Sequence, residues 1–316
     1  MTLFKKAFTM LELIFVIVVL GIIGTVGAEV FRTMYDAYTS SAVNNKLQTE
    51  TELTLKQIAN RLQYRFKDSV IARETTADDA YFNGLSAYDT GDTDNNATVI
   101  EWVGYDIDGW QGTWRSNGTD SYNIPIWSGF IDVDARDETN TSILQSPTTD
   151  TALITTILGD LSPSGATFND TAIFFTGANT DPQNSYDWNN SVAHDYTITA
   201  AHRVDAHGTD LDKFVADTGE TFGGLDVYEQ YKLAWTAYAL VLQDEQLTLY
   251  YDYRPWEGEK WQDNTASSAV LIDHVDTFKF QAIGDIIKVQ LCINNDWYGN
   301  LPSNQIYSLC KEKVIF

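Results

Sequence analysis

A long apolar run near the start of the chain constrains the fold more than any other feature. Residues 8–28 contain one ionisable side chain, the carboxylate of Glu12. As a helix this run is about 30 Å long, which matches the hydrocarbon layer of a bilayer. A carboxylate there costs roughly 2.5–3.5 kcal/mol at the bilayer centre and less near the interface. We therefore expect Glu12 to pair with a positive group, supplied by another copy of the same kind of segment.

The residues around this run resemble the N-terminus of a type IV prepilin. A short basic leader, residues 1–7, ends in the small residue Ala7 and is followed at once by the apolar run. The positions that match the family pattern are Phe8, Thr9, Leu11, Glu12, Leu13 and Gly21. Type IV pilins and type II secretion pseudopilins share this N-terminus, so the chain is similar to members of both groups.

The resemblance implies a processing site and an assembly residue. A prepilin peptidase would cut between Ala7 and Phe8 on the cytoplasmic side, and the new Phe8 amine would be N-methylated. The Glu12 carboxylate would then pair with the Phe8 amine of a neighbouring subunit during filament assembly. Ala7 stands where the family usually has glycine, but its side chain is small enough for the same protease subsite, so we expect processing here.

A secretory signal peptide or a simple membrane anchor is the competing interpretation. A signal peptide has an apolar core of about 7–15 residues and then a small-x-small site, which Gly27-Ala28 resembles. The carboxylate inside the core and the Phe8-Thr9 start argue against both. Lys5 and Lys6 precede the run, and the next basic residue is Arg32. By the positive-inside rule, the N-terminus is expected in the bacterial cytoplasm and the later residues outside the inner membrane.

The helical pattern continues beyond the apolar run. Apolar residues recur at spacings of three and four, which places them on one helix face. They are Leu55, Ile58, Leu62 and Phe66. Residues 29–67 contain neither glycine nor proline. These features predict one continuous helix over residues 8–68, in which residues 8–28 span the membrane and the outer half belongs to residues 29–72.

The remainder, residues 73–316, is predicted to form a β-rich extracytoplasmic domain with large loop-rich insertions. Apolar or alternating runs predict strands at 98–103, 124–127, 172–176, 232–243, 246–253, 275–283, 286–293 and 313–316. Asp244-Glu245 and Gly284-Asp285 lie between paired runs and predict tight turns. Residues 139–150 and 177–224 are interpreted as loops. One long helix followed by antiparallel strands predicts an α+β fold, and the resemblance implies its pilin-like version.

The net charge argues against nucleic acid and anionic membrane surfaces as ligands of this domain. Aspartate and glutamate number 44 against 20 lysines and arginines, which gives a net charge of −24. Such a surface repels phosphate groups and keeps an extracytoplasmic domain soluble. Aromatic residues make up 13% of the chain, so the domain is expected to bury a core rather than to remain disordered.

Cys292 and Cys310 are the two cysteines of the sequence. In an oxidising compartment we expect them to form a disulfide, which stabilises by on the order of 3 kcal/mol for a loop of this length. Two free buried thiols are the alternative. Redox catalysis is not expected, because the chain has no Cys-x-x-Cys motif.

Motifs for calcium binding are incomplete. Asp92, Asp94 and Asn96 alternate as in the first half of an EF-hand loop. The loop then fails, because Ala97 stands where glycine is needed and Val103 where the bidentate glutamate belongs. Acidic loops are usually solvated without an ion, so we expect no cofactor, with calcium as the weaker alternative.

Other site motifs are weaker still. A second acidic fragment spans Asp106-Ile107-Asp108-Gly109. His202 and His207 flank Asp205 but do not form the His-Glu-x-x-His pattern of zinc proteases, so no metal site is assigned. The chain has no Gly-x-Ser-x-Gly elbow and no phosphate-binding glycine loop. No catalytic residue is therefore assigned, and an enzyme is not expected.

These features favour a structural assembly protein. Leu47-Gln48 followed by Ile58-Ala59-Asn60-Arg61-Leu62 is similar to J-type pseudopilins and W-type minor pilins. The resemblance implies a filament initiator or cap, with other pilins or pseudopilins, a prepilin peptidase and an inner-membrane assembly platform as partners. The alternative is a pilus-borne adhesin whose tryptophan-rich loops contact a ligand. The tryptophans in or beside loops are Trp102, Trp110, Trp114, Trp127, Trp188, Trp256 and Trp261.

Overall fold

One long helix and several antiparallel sheets form the framework, as the α+β prediction requires. The computed structural model describes residues 9–74, 83–85, 97–116, 121–136, 141–178, 180–182, 184–189, 193–296 and 306–316. The α-helices in these residues are α1 (Met10–Leu62), α2 (Ile107–Gln111) and α3 (Thr151–Leu161). The strands are β1 (Ile71–Arg73), β2 (Asn83–Gly84), β3 (Val99–Gly104), β4 (Thr113–Ser116), β5 (Ser121–Ile124), β6 (Ile143–Gln145), β7 (Thr171–Phe175), β8 (His202–Ala206), β9 (Lys213–Ala216), β10 (Tyr231–Ala234), β11 (Thr236–Gln243), β12 (Gln246–Tyr253), β13 (Ser267–Ile272), β14 (Val275–Ile283), β15 (Ile286–Asn294) and β16 (Ser308–Ile315).

The strands assemble into antiparallel sheets. In strand order, the six-stranded sheet is β13-β12-β11-β3-β1-β2, the five-stranded sheet is β10-β7-β8-β9-β6 and the three-stranded sheet is β14-β15-β16. β4 and β5 form a separate ribbon. Both predicted hairpins are confirmed: β11 pairs with β12 and β14 with β15. Asp244 and Glu245 have φ of 50° and 61°, the left-handed conformation that a two-residue hairpin turn requires.

α1 is continuous from Met10 to Leu62, so the predicted helix is confirmed over most of its length. Its predicted end at Asp68 is wrong. The Phe66 N–H donates to the Val103 carbonyl at 2.9 Å, and the Tyr105 N–H donates to the Tyr64 carbonyl at 3.0 Å. This pairing with the end of β3 replaces helical hydrogen bonds, so the helix ends six residues earlier than predicted.

The second half of α1 packs in an apolar core against two sheets. Its buried residues are Val43, Leu47, Thr51, Thr54, Leu55, Ile58 and Leu62. The same core includes Ile100 and Leu240 of the six-stranded sheet and Phe278 and Val289 of the three-stranded sheet. Phe66, expected on this helix face, instead lies beyond the helix. The predicted amphipathic face is therefore confirmed up to Leu62.

The segment predicted as one strand at 232–243 is two strands in different sheets. β10 pairs with β7, whereas β11 pairs with β3 and β12. Trp235 lies between the two strands and is 6% exposed. Thr236 supports the bend, because its hydroxyl accepts a hydrogen bond from the Asp252 N–H at 2.8 Å. Ala234, Trp235 and Ala237 at the change of sheet are apolar and buried, like the strand residues on either side of them. The sequence therefore shows no break between the two strands.

Parts of the segments interpreted as loops are regular structure. β6 lies within 139–150, and β8 and β9 lie within 177–224. These strands bury Leu144, Val204 and Phe214, but each is too short for alternation to stand out. α3 begins at Thr151, directly after the segment 139–150, and was not predicted from the sequence. The Asp150 side chain caps it by accepting a hydrogen bond from the Leu153 N–H at 3.0 Å.

Two predicted strand boundaries also change. β5 ends at Ile124, because Pro125 has no N–H to donate to a strand partner. Trp127, predicted in that strand, is instead buried after it and donates its indole N–H to Asp106 at 3.0 Å. The last strand, predicted at 313–316, starts earlier and pairs with β15 from Ser308 to Ile315.

Cys292 in β15 and Cys310 in β16 lie directly opposite each other and form a disulfide. Cys292 is buried and Cys310 is exposed. The bond secures β16, which in turn contacts α1: the Lys311 ammonium donates to the Gln48 carbonyl and to the Glu52 carboxylate, both at 3.1 Å. The disulfide therefore holds in place the strand that lies beside the helix.

We expect replacement of both cysteines by alanine to destabilise the protein by about 3 kcal/mol, because the unfolded chain is then no longer crosslinked. Denaturant unfolding of the full chain in detergent micelles, followed by tryptophan fluorescence, measures the change. A reductant should lower the unfolding midpoint of the native protein and leave that of the double variant unchanged. Equal midpoints for the native and variant proteins would show that the bond contributes no stability.

Candidate functional site

The first half of α1 stands free of the rest of the described protein. No residue from 10 to 42 is buried. At about 1.5 Å per residue, this stretch is about 50 Å long. Its large exposed apolar side chains include Leu11, Leu13, Ile14, Phe15, Ile17, Leu20, Ile22, Ile23 and Phe31. An apolar surface of this extent requires a bilayer or other apolar helices around it.

Among the described residues, α1 is the helix that is long and apolar enough to cross a membrane. None of its most apolar window is buried inside the protein. A core helix of a soluble domain would be covered by the sheets it packs on, as the second half of α1 is. The apolar first half of α1 is thus suited to a single membrane span.

Glu12 lies in the first turn of α1 and closes a capping box with Thr9. The Glu12 N–H donates to the Thr9 hydroxyl oxygen at 3.3 Å. In return, Oε2 of Glu12 accepts hydrogen bonds from the Thr9 N–H at 2.9 Å and from its hydroxyl at 3.0 Å. These bonds satisfy helix-terminal donors that have no partner within the helix, which matters most in an apolar environment.

The cap leaves part of the Glu12 carboxylate open. Both hydrogen bonds go to Oε2, and Oε1 accepts none from the described residues. The capping role of Thr9 was not recognised in the sequence, although Thr-x-x-Glu before an apolar run is its usual signal. The same carboxylate is therefore held at a fixed position by its own chain and presents one free oxygen to a further donor.

A positive partner for Glu12 is not supplied by the described part of the chain, where Glu12 forms no ion pair. No lysine, arginine or histidine occurs between residues 7 and 31. Ala7 and Phe8, the predicted cleavage and N-methylation positions, lie outside the described residues. A cation for Glu12 must therefore come from residues 1–8, from a new N-terminus or from another molecule.

The acidic fragments considered for calcium do not form a cation site in the described residues. Asp92, Asp94 and Asn96 lie outside them. Asp106 is the buried N-cap of α2, where one oxygen accepts from the Gly109 N–H and the other from the Trp127 indole, each at 3.0 Å. Burial raises the pKa of Asp106 to about 6. This carboxylate serves the helix start and the tryptophan rather than a cation.

Most tryptophans considered as ligand contacts belong to the core. Those between 0% and 6% exposed are Trp102, Trp127, Trp188, Trp256 and Trp261. Trp110 is 42% exposed, and its ring centroid lies 4.8 Å from that of Trp127. The side chain of Trp114 lies outside the described residues. A ligand-binding surface built from these rings is therefore limited to Trp110 among the described side chains.

His202 and His207 do not share a site within the described residues. The His202 ring is 8% exposed and lies 5.2 Å from the Phe175 ring. Nδ1 of His207 lies 3.8 Å from the Asp210 carboxylate instead. The two histidines therefore have different neighbours and lie in different surroundings.

Another histidine has metal-ligand neighbours that were missed from the sequence. Potential ligand atoms of Glu245, His274 and Asp296 lie within 4.8 Å of one another. They come from two separate turns and from the residues that follow β15, so no sequence spacing reveals them. Glu245 and Asp296 are exposed, and exposed acidic groups of this kind are common without an ion.

A largely buried charge cluster surrounds His194. Its Nδ1 lies 2.9 Å from Asp187 and its Nε2 lies 3.3 Å from Glu220. Burial by itself lowers the pKa of His194, but hydrogen bonds and charges from the two carboxylates outweigh it and raise the pKa to about 9. Burial lowers the pKa of His202 to about 4, and nearby carboxylates do not offset it. The two histidines therefore titrate on opposite sides of their usual value.

No protein-family model, curated protein or solved structure matches this chain. Its function must therefore follow from its own residues and geometry. An exposed apolar helix half, a single carboxylate in its first turn and an acidic, disulfide-bonded outer domain are the features that any proposed function has to use.

The two histidines together contribute a part of the stability that is largest near pH 6.5, and on the acid side the raised pKa of Asp106 opposes it. With its pKa raised to about 9, His194 contributes stability that is complete below about pH 6.5 and is lost as pH rises through 9. With its pKa lowered to about 4, His202 is neutral when folded, so stability falls as pH drops from about 6.5 towards 4. Thermal unfolding across this range measures both slopes.

Matched variants separate these slopes from those of other groups. His194→Gln should flatten the alkaline side of the profile, and His202→Gln should flatten the part of the acid side that His202 causes. An alkaline slope that is unchanged in His194→Gln would contradict the ion pairs with Asp187 and Glu220.

Proposed function

We propose that this protein is a minor pilin or pseudopilin, a structural subunit that helps to initiate or cap a type IV pilus or a type II secretion pseudopilus. The observation that carries the proposal is the free apolar half of α1 with one carboxylate, Glu12, in its first turn. The resemblance of residues 1–28 to a prepilin supports it. In this proposal a prepilin peptidase removes residues 1–7.

The membrane-stored subunit keeps its N-terminus in the cytoplasm and its outer domain in the periplasm. Lys5 and Lys6 before the apolar run favour this orientation. While the subunit is stored, Thr9 satisfies the Glu12 carboxylate. A neighbouring subunit then brings its Phe8 amine to the free oxygen of Glu12. In an apolar helix bundle such a charged pair is stronger than in water, so it sets the register between neighbours.

The outer domain supports a low-copy position at a filament end. Residues 73–316 carry the disulfide and most of the acidic surface, which suits an oxidising, extracytoplasmic compartment. A domain of this size would pack awkwardly along every turn of a thin filament. Other pilins or pseudopilins and an inner-membrane assembly platform are the partners of this function.

A pilus-borne binding module remains the alternative. Trp110 is the tryptophan among the described side chains that is exposed enough to contact a ligand. Both functions use the same anchoring helix, so they differ only in what the outer domain touches.

Glu12→Ala should insert into the membrane like the native chain but enter filaments at least tenfold less, because the neighbouring Phe8 amine then has no carboxylate to pair with. Membrane fractionation measures insertion, and immunoblotting of sheared filaments measures incorporation. Glu29→Ala is the matched control, since it removes a carboxylate from the same helix just beyond the apolar run. Equal incorporation of the two variants would rule out the proposed pairing.

Mass spectrometry of the mature chain should find N-methyl-Phe8 as its first residue. Ala7→Lys should retain residues 1–7, because a long side chain does not fit a protease subsite that takes small residues. A mature chain that begins after Ala28 would instead indicate signal-peptide cleavage. That result would overturn the assembly role, since the apolar helix would then be absent from the product.

A further inference from the structure

A cavity of about 240 Å³ lies beyond the end of α1 and is named here the Lys232 pocket. It is lined by residues that follow α1, by Tyr105 after β3, by Phe174 of β7 and by Lys232 of β10. Since α1 rises about 1.5 Å per residue, its end lies about 80 Å along the helix axis from Met10. The Lys232 pocket is therefore at the opposite end of α1 from the apolar segment.

The lining of the Lys232 pocket is positive in a strongly negative protein. Arg65, Lys67 and Lys232 line it together with one carboxylate, Asp68. Two of the cations are engaged elsewhere. Arg65 donates to the Leu62 carbonyl at 2.7 Å and also to the Asp285 carbonyl, and Lys67 pairs with the Asp285 carboxylate at 2.9 Å. Lys232 is the cation of the lining that has neither a hydrogen-bond acceptor nor an ion-pair partner among the described residues.

The ammonium of Lys232 is half-buried over aromatic rings. It lies 4.5 Å from the centroid of Tyr105 and 5.9 Å from that of Phe66. Burial, and then the charge of Lys67, lowers the pKa of Lys232. A cation that has lost part of its water without gaining a carboxylate is stabilised by any anion that enters beside it.

Aromatic rings form the apolar part of the Lys232 pocket. The ring centroids of Phe66 and Phe174 lie 4.4 Å apart, and those of Phe174 and Tyr186 lie 5.7 Å apart in a stacked arrangement. Such faces contact flat or apolar groups well. At about 30 Å³ per water molecule, the cavity has the volume of about eight waters, which is room for a ligand of roughly ten heavy atoms.

We propose that the Lys232 pocket binds a carboxylate carried on an aromatic or apolar group. The Lys232 ammonium pairs with the carboxylate, and the rings of Phe66, Tyr105 and Phe174 contact the apolar group. A phosphate dianion fits less well, because one free cation faces it and Asp68 repels a second negative charge. A free arginine guanidinium binds phosphate through a bidentate pair of hydrogen bonds, but that of Arg65 already donates to backbone carbonyls.

Two kinds of ligand carry a carboxylate on an apolar group: a free small molecule and the C-terminal end of a peptide chain. Both present one carboxylate beside an apolar group of similar size. The inference is independent of filament assembly, because it uses residues at the membrane-distal end of α1 only. Glu12 variants should therefore bind the same ligand as the native chain.

The test is isothermal titration calorimetry on the full chain in detergent micelles. Phenylacetate should bind with a Kd of about 1 mM, and phenylacetamide, which lacks the charge, should not bind. N-acetyl-Gly-Phe with a free carboxylate and its C-terminal amide form the second pair of probes. Binding of phenylacetate assigns a small-molecule source, and binding of the peptide alone assigns a chain end.

Two variants and one control decide whether the site is the Lys232 pocket. Lys232→Met keeps an apolar stem over the rings and should weaken binding at least tenfold. Thr176→Trp places a large ring at the exposed mouth of the pocket without changing any charge, and should also block binding. Lys213→Met is the matched control, because Lys213 lies in the same sheet but pairs with Asp210, and it should bind like the native chain.

Three results would each overturn the proposal. The first is that neither carboxylate probe binds, and the second is that the neutral amides bind as tightly as the carboxylates. The third is that Lys232→Met and Thr176→Trp both bind with native affinity. Circular dichroism of each variant checks its fold. If Lys232→Met does not fold, Thr176→Trp carries the decision alone.

Discussion

Burial of the second half of α1 against two sheets is the contact on which the rest of the structure depends. Leu47, Ile58 and Leu62 share one apolar cluster with the six-stranded and three-stranded sheets. Each such side chain contributes roughly 1.5–3 kcal/mol when fully buried. Because α1 is continuous, the same packing fixes the direction in which its free half projects, and so the position of Glu12 relative to the outer domain.

Elements with strong local signals were predicted from the sequence, and elements set by distant contacts were not. α1 and the two long hairpins have periodicity or turn residues of their own. The end of α1 depends instead on pairing with β3, and the change of sheet at Trp235 is invisible because its neighbours are equally apolar. The buried pair of Arg73 and Glu101, 6% and 2% exposed, has no sequence signal either.

The sites at the two ends of α1 differ in the same way: one has a local sequence signal and the other depends on distant contacts. Thr9 and Glu12 are three residues apart, so a capping box is readable in the sequence once its pattern is sought. The Lys232 pocket is assembled from the residues after α1 and from three different strands or strand ends. Nothing in the spacing of Phe66, Tyr105 and Lys232 indicates that they meet, and only the fold brings an unpaired cation onto aromatic rings there.

The contact between α1 and β16 also sets when the folded domain becomes complete. Gln48 and its partner Lys311 are 263 positions apart. At a synthesis rate of about 5–20 residues per second, the inner face of the helix waits on the order of ten seconds to a minute for its last strand. During that interval the side of α1 that faces β16 is open to chaperones and proteases. A chain that stops before β16 leaves part of that face uncovered, so a truncated chain differs from the finished one by an exposed apolar surface on α1.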